Sequence, residues 1–524
     1  MYSNDKLFNF RPLVCSALAL IAGIFVSSVA FTRGASLVCF LFACALVFIV
    51  FIVFKFERVR AFLYNHCLAI IFVVLFFCVG FGSLAIKIKA WDSNHYTNTS
   101  VIITATVVEV NQKYIIVNNA TGEYYSYATK SLEPNYHFNG KIYVYPQNLS
   151  CKDFALGDII EVGGTLSFFQ AIDDNSVNSL ALYNGMLGAV YDASVAKTDL
   201  TTNTDIFMPF RENIRGIINE NFDDSSAGLA YSMLFGDKSA LSSDISESFK
   251  TTGISHLLAV SGLHVGFLVA LLMGISKLMK VKKKTSSIVI AILIVLYAWI
   301  CNFTPSVTRA AIMTMIILLS STRGKQYDIL NALSVGIIVI LCINSAALFS
   351  LGFQLSVLAV FFIALLTKPI ERFLSKFLPS GIASALGATI AAQVGTLPII
   401  LNIYGEYSLL SILANLIIVP IAGVAFEILV LFMLIIAILP GVSLVLKVPQ
   451  LLFQIIIWLA NLVASSKFLV GLTIDAFGMT VIIFASYVAS HYVFVRKSVK
   501  IACIAAILLV LLSAVGNGLL FSGA

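Results

Sequence analysis

Charged side chains are scarce in this sequence. Asp, Glu, Lys and Arg make up 11% of its 524 residues, where a soluble domain carries about a quarter. Hydrophobic residues reach 59% and mean hydropathy is +0.97. That balance excludes a soluble enzyme, because too little polar surface is left to cover a water-facing body. A helix crosses the hydrocarbon layer with about 20 apolar residues, and windows of that length recur along the chain. Composition alone predicts a polytopic α-helical membrane protein.

Several catalytic signatures are missing as well. Nine cysteines are present, but only Cys151 falls between residues 87 and 225, and no C-x-x-C or Cys/His ligand spacing occurs. A lone thiol has no partner, so a disulfide framework there is excluded; the other cysteines read as small buried thiols between helices. The histidines are His66, His95, His137, His256, His264 and His491. None sits in an H-E-x-x-H or H-x-H-x-D-H pattern, so no metal centre and no cofactor is expected. No G-x-x-x-x-G-K-[ST] loop is found, which leaves the chain without an energy source of its own.

What is present divides the chain in three. Residues 1–86 contain three apolar segments, at 13–31, 35–54 and 67–86. Lys6 and Arg11 precede the first, and "KFERVR" follows the second. Positive charge stays in the cytoplasm, so the N-terminus reads as cytoplasmic and the chain emerges outside after Ile86. Residues 13–30 also fit a cleaved signal ending in Ser28-Val29-Ala30, although two further helices follow closely. Residues 87–225 change character. "VIITATVVEV", "KYIIVNN", "GKIYVYP" and "DIIEVGGTLSFF" alternate apolar and polar positions between turn residues, which predicts five or six strands closing into a small OB-like barrel outside the membrane. This region holds 9 Lys/Arg against 16 Asp/Glu, a net of −7, so it is not a generally basic nucleic-acid module. Tyr124, Tyr125 and Tyr127 in "EYYSY" read either as stacking platforms or as half-buried packing.

Residues 226–524 return to apolar runs, at 254–275, 286–303, 305–321, 327–343, 345–366, 382–403, 408–422, 423–440, 446–466, 472–494 and 501–520. Simple alternation puts "VRKSVK" outside, against the orientation rule. One segment between 382 and 466 is therefore expected not to span, either 394–422 as a re-entrant element or 446–466 along the interface.

Polar residues recur where lipid would penalise them. In "TTGISHLLAVSGLHVGF", a helix starting near Gly253 sets His256, Val260 and His264 on one face, with Ser261 nearby and Gly262 and Gly266 as a notch for a second backbone. Three readings follow: hydrogen bonds to neighbouring helices, a metal site, for which two histidines eight apart lack the H-E-x-x-H geometry, or a serine hydrolase. The last lacks a G-x-S-x-G elbow around Ser261. Arg309, about one turn into a helix opened by Pro305, needs water, an acid or an anion, or snorkels to the interface. Gln354, Gln393, Asn415 and Glu427 are similarly isolated, and Pro398 and Pro420 suggest helix breaks beside a cavity.

These stretches resemble ComEC-type competence proteins, which carry DNA across the bacterial cytoplasmic membrane. "GDKSALSSDISESFKTTGISHLLAVSGLHVGF" matches the family's G-D-x-S…T-G-I-x-H-L-L-A-V-S-G-L-H pattern. "PSVTRAAIM", "GFQLSVLAV", "QVGTLPI" and "ANLIIVP" then follow in the family's order. The resemblance implies a channel for single-stranded DNA in the cytoplasmic (inner) membrane, serving natural transformation. His256, Ser261, His264, Arg309, Gln354 and Gln393 would belong to the channel or its essential packing. Asn415 and Glu427 join them on the physical reading.

Two departures stand out. The metal motif of the metallo-β-lactamase-like domain found in many members does not occur in these residues, so either a separate nuclease supplies the single strand or this protein has another task. "CINSAALFS" replaces an Asp-Pro expected before the helix carrying Gln354. The resemblance further implies a DNA receptor outside the cell. A cytoplasmic motor or strand-binding protein would dock near 280–284 and 368–376. A transporter of a small polar or anionic solute, and an intramembrane hydrolase, are the competing functions.

Overall fold

The computed structural model describes residues 12–33, 67–92, 99–110, 114–126, 131–138, 140–147, 154, 157–173, 176–201, 206–238, 240–322, 328–404, 406–408, 410–438, 443–465, 469–471, 476–490 and 499–507. The chain folds as two compact bodies. One comprises residues 11–208 with 334–353, and the other residues 209–333 with 354–524 and the first ten residues.

In the first body, α1 (Pro12–Arg33) and α2 (Cys67–Asp92) are apolar helices long enough to span a bilayer. They approach closely because both contact points are glycine. A Cβ on Gly23 would lie 2.2 Å from the Phe77 carbonyl oxygen, and one on Gly80 would lie 2.4 Å from that of Leu20. Lipid supplies no hydrophobic drive between helices, so backbone-to-backbone packing of this kind must hold them. The expected segment at 35–54 lies outside the described residues.

The six-stranded sheet comprises β1 (Thr99–Val110), β2 (Ile115–Ser126), β3 (Ser131–Phe138), β4 (Lys141–Pro146), β5 (Asp158–Phe168) and β6 (Met186–Thr201). Its order is β1-β5-β6-β4-β2-β3, and β1 also pairs with β2. Five strands thus close into a barrel, and β3 is a hairpin excursion from β2. All pairings are antiparallel except β4 with β6, where Val144 meets Val190. That circuit is the OB-like order expected. Alternate positions fill the interior, including Val101, Ile103, Ile142, Val144, Ile160, Val162 and Val190. The strand region ends at Thr201, and the chain is already helical from Met208. Tyr124 and Tyr125 lie on β2; Tyr127 lies outside the described residues, as does Cys151.

At the base of the barrel, the Trp91 indole of α2 donates to the Phe169 carbonyl at 3.0 Å. Lys87 Nζ donates to Asn344 Oδ1 at 2.6 Å, and Asn344 Nδ2 donates to the Tyr183 carbonyl at 3.3 Å. Asn344 also accepts from the Ala346 amide, capping a 3₁₀ turn (Ser345–Phe349). The departure in "CINSAALFS" therefore carries a working cap.

The second body holds α4 (Met208–Asn221), α5 (Asp224–Phe235), α6 (Ser243–Thr251), α7 (Gly262–Leu278), α8 (Lys283–Ile300) and α9 (Pro305–Thr322); α3 (Ser179–Leu182) belongs to the first body. After α10 (Ile329–Ile343) come α11 (Leu351–Leu374), α12 (Ser380–Tyr404), α13 (Ser411–Ile438), α14 (Lys447–Ala464) and α15 (Ala476–Ala489). Seven helices among the described residues, α1 and α2 included, are long and apolar enough to cross a membrane. Together with the barrel they make this a polytopic helical membrane protein.

Three expectations about the apolar runs need correction. Segments 408–422 and 423–440 are one 28-residue helix, α13, because Pro420 sits inside it without ending it. Pro398 is likewise inside α12. A proline's missing N–H is tolerated where neighbouring helices cover the turn. The two segments expected at 408–422 and 423–440 therefore count as one helix. The third correction concerns 254–275, where the helix starts only at Gly262.

A polar clasp joins α14 to the α4–α5 corner. Asp223 caps α5, accepting from the Ser226 amide at 3.2 Å and from the side-chain amides of Gln450 and Gln454 at 3.1 and 2.9 Å. Lys447 Nζ donates to the Asn221 carbonyl at 2.9 Å. Partial burial would raise the Asp223 carboxyl, but the hydrogen bonds from Gln450, Gln454 and Ser226 outweigh it and hold the group down to about 2. Since the folded state prefers the carboxylate, this stabilisation is complete above about pH 4 and is lost as pH falls toward 2. Asp223→Ala is expected to destabilise the fold by about 1–2 kcal/mol. It should also flatten the loss of thermal stability between pH 4 and 2, read by melting the detergent-solubilised protein.

Candidate functional site

The site expected from sequence lies where α6 gives way to α7. Gly253 adopts φ +76°, a left-handed conformation that other residues rarely take. A Cβ there would also come within 2.9 Å of Ser411 at the start of α13. Beside it Thr252 is buried, and its hydroxyl lies 2.6 Å from the Ser248 carbonyl and 3.1 Å from that of Ala460 on α14. Residues Ser255–Leu258 form a 3₁₀ turn and Ala259 is extended, so α7 begins after Ser261. His256 and His264 are therefore not on one helical face. His256 is exposed on the 3₁₀ turn, whereas His264 is 0% exposed in the first turn of α7.

Ser261 and His264 close that helix start reciprocally. Ser261 Oγ accepts from the Leu263 amide at 3.3 Å, and the Ser261 amide donates to His264 Nδ1 at 3.2 Å. This is a capping box with histidine in the place usually held by Glu or Gln. With Nδ1 accepting, the neutral ring carries its proton on Nε2, which is buried and has no hydrogen-bond partner among the described residues. The ring is held edge-on against Phe426 of α13, with centroids 5.3 Å apart, and against Phe267. Phe267 in turn occupies the space over Gly423, where a Cβ would meet its ring at 2.6 Å. A Cβ on Gly262 would lie 3.7 Å from Ala310 of α9, while one on Gly266 would meet nothing within 4 Å, so only the first of the two expected notch glycines faces a close neighbour.

Ser261 Oγ also lies 3.2 Å from His264 Nδ1, a spacing that invites comparison with a nucleophile and its base. The geometry favours the cap, because the imidazole nitrogen is already taken by the backbone amide and no group among the described residues orients Nε2.

The other expected residues distribute over two places. Arg309 sits in the second turn of α9, 5% exposed, in the apolar cluster that α7, α8 and α9 build with Val265, Ile294 and Ala310. It does not snorkel out of the bundle. Gln354 on α11 and Gln393 on α12 belong to a second pair of helices, which touch where Gly395 meets the Phe362 ring. The side-chain oxygen of Gln393 is buried without a hydrogen-bond partner among the described residues. Asn415 spends its side-chain amide on its own helix, donating to the Ser411 carbonyl at 2.8 Å. Glu427 is half-buried on α13, one residue beyond Phe426.

A second polar group was not singled out from sequence. Arg215 of α4 pairs with Asp237 and with Glu212, and lies 5.2 Å from the Tyr231 ring centre. The Tyr231 hydroxyl donates to the Arg215 carbonyl and lies 2.8 Å from Asn219 Oδ1. Gly236, at φ +77°, ends α5 and turns Asp237 toward α4. The G-D of the quoted signature is thus a helix stop followed by an ion-pair partner. Arg211 and Arg215, one helical turn apart, were the available signal.

A helical bundle with polar groups buried between its helices, in one chain with a small barrel, defines a polytopic membrane protein. Comparison with known families makes this specific. Residues 233–513 match the family described as "Competence protein", so the chain belongs to the competence protein family. It is similar to ComE operon protein 3 of Bacillus subtilis (strain 168), 30% identical over 213 residues that cover 41% of this chain and 27% of that protein. It is also similar to an uncharacterized protein of Aquifex aeolicus (strain VF5), 29% identical over 201 residues that cover 37% of this chain and 46% of that one. The chain therefore spans less than half the length of either relative. No solved structure matches it.

If Ser261 serves as a cap, Ser261→Ala should cost about 1 kcal/mol of stability and leave no reaction to lose. A fluorophosphonate probe is expected to leave Ser261 unmodified in the wild-type protein, read by peptide mass spectrometry.

Proposed function

We propose that this chain forms the path by which one strand of DNA crosses the bacterial cytoplasmic membrane during natural transformation. Membership of the competence family supports a role in DNA uptake, and the channel reading rests on one further observation. Arg309 and His264 are carried by neighbouring helices and are both buried in the bundle. A guanidinium and an imidazole on adjacent helices are groups that a passing phosphodiester can contact. In this conformation His264 is sealed between Phe267 and Phe426, so conduction requires α7 and α13 to separate there. The capped start of α7 and the glycine contact under Phe267 mark where they would part.

A polyanion moving through needs wet, polar contacts that do not grip. The chain has no nucleotide-binding loop, so a cytoplasmic motor or strand-binding protein supplies direction, docking at the exposed Lys280, Lys282, Lys283 and Lys284 and at Lys368 and Lys376. A DNA receptor and a nuclease outside deliver the strand.

Labelled DNA entering cells tests the reading. Deleting the gene should abolish uptake, and Arg309→Ala should reduce it at least tenfold with the protein still present in the membrane at wild-type level. Unimpaired uptake in the deletion strain rejects the function.

A further inference from the structure

The turn that joins α7 to α8 is exposed without interruption from Lys277 to Thr285. It carries Lys277, Lys280, Lys282, Lys283 and Lys284, and no Asp or Glu occurs between Glu247 and Asp328. None of the five lysines has an acidic partner among the described residues. Apolar side chains stand between these cations. Leu278 is 84% exposed, Met279 70% and Val281 37%. Met273, little more than one turn earlier on α7, and Ile288, Val289 and Ile292 on α8 are exposed as well. The tip therefore continues the apolar surface of the two helices it joins.

Local structure does not account for this composition. α7 ends in a Schellman motif, with the Val281 amide donating to the Ser276 carbonyl at 2.9 Å and the Lys280 amide to that of Lys277 at 3.1 Å. The motif needs one left-handed residue, and Lys280 supplies it at φ +54°, where glycine would be free of strain. Lys282 then precedes α8 without a side-chain cap, and Lys283 and Lys284 open it, at the end where the helix dipole disfavours cations. The orientation of a membrane chain asks for positive charge on one side. It does not ask for exposed Leu and Met among the lysines, or for a lysine in glycine's place.

We propose that the α7–α8 turn is a binding surface for anionic phospholipid. Leu278 and Met279 enter the bilayer at the boundary between headgroups and acyl chains. The lysine stems lie along that apolar surface and carry their ammonium groups to the phosphates. Lys284 stands four residues before Ile288, about 6 Å along the helix axis, so its side chain reaches the headgroup level from the edge of the hydrocarbon. Continuity with Met273 and Ile288 selects the bilayer over a soluble partner, because a protein that covered Leu278 would have to displace lipid from both neighbours. The inference does not rest on the DNA-uptake reading. A motor docking at the same lysines has to displace the headgroups first.

The test places the photoreactive residue p-benzoylphenylalanine at Leu278 in the full chain, in nanodiscs of equal parts phosphatidylglycerol and phosphatidylcholine. After irradiation the lipid adducts are compared by peptide mass spectrometry. Phosphatidylglycerol adducts should exceed phosphatidylcholine adducts by at least about fivefold, the gain that one lysine supplies near an anionic surface. Combining Lys280→Gln, Lys282→Gln, Lys283→Gln and Lys284→Gln should bring that ratio within about twofold of one. Adducts should still form in the combined variant, which shows that its turn still meets the bilayer. The same label at Ile292, 63% exposed on α8, should show no preference in either chain. A ratio near one in the otherwise wild-type chain overturns the proposal, as does a preference that survives the four replacements. Lipid adducts at Ile292 with none at Leu278 place the turn in water, as a surface for a protein, and also overturn it.

Discussion

The constraint on which the bundle depends is that backbone removed from a helix inside apolar packing must find its hydrogen bonds locally. Between Thr251 and Gly262 the chain leaves the α conformation, and each exposed group in such surroundings costs several kcal/mol if left unmet. The Thr252 hydroxyl reaches two carbonyls, Gly253 takes the left-handed turn, and Ser261 and His264 satisfy each other's amides. The T-G-I-x-H and S-G-L-H pieces of the signature are first of all the residues that make this interruption affordable. Any role in transport is built on that closure. His264 fits both descriptions: one nitrogen completes the cap, and the other is buried without a partner among the described residues.

The same economy recurs elsewhere. Asp237 follows a glycine stop and meets Arg215, and Asp223 caps α5 while receiving two amides from α14. Asp223 and Thr252 each serve a backbone group and a neighbouring helix at once. In the first body, glycine against carbonyl does the work that apolar area does in water. Polar residues in this protein are therefore concentrated at corners, helix starts and crossing points. Arg309 in the second turn of α9 and Gln393 on α12 are polar side chains set inside helices, and residues so placed draw a functional reading.

Much of this was legible in the sequence because it depends on local pattern. Apolar runs of sufficient length specify membrane helices through the cost of unpaired backbone in lipid, and period-two alternation specifies strands through the pleat. The membrane class, the OB-like barrel and the family follow from those patterns and the ordered motifs. Reading 408–422 and 423–440 as two segments failed because a proline marks a break only if nothing covers the freed carbonyl, which is a property of the neighbours. Setting His256 and His264 on one face failed because the cap at Ser261 outcompetes the helical period. The parallel pairing of β4 with β6, which closes the barrel, left no signal in the sequence because it joins strands distant along the chain. Sequence by itself determined which segments enter the membrane and which form strands, because each of those choices is made within a few residues. Only the tertiary structure decided which polar groups are spent on the backbone and which remain available, because that is settled by partners distant along the chain.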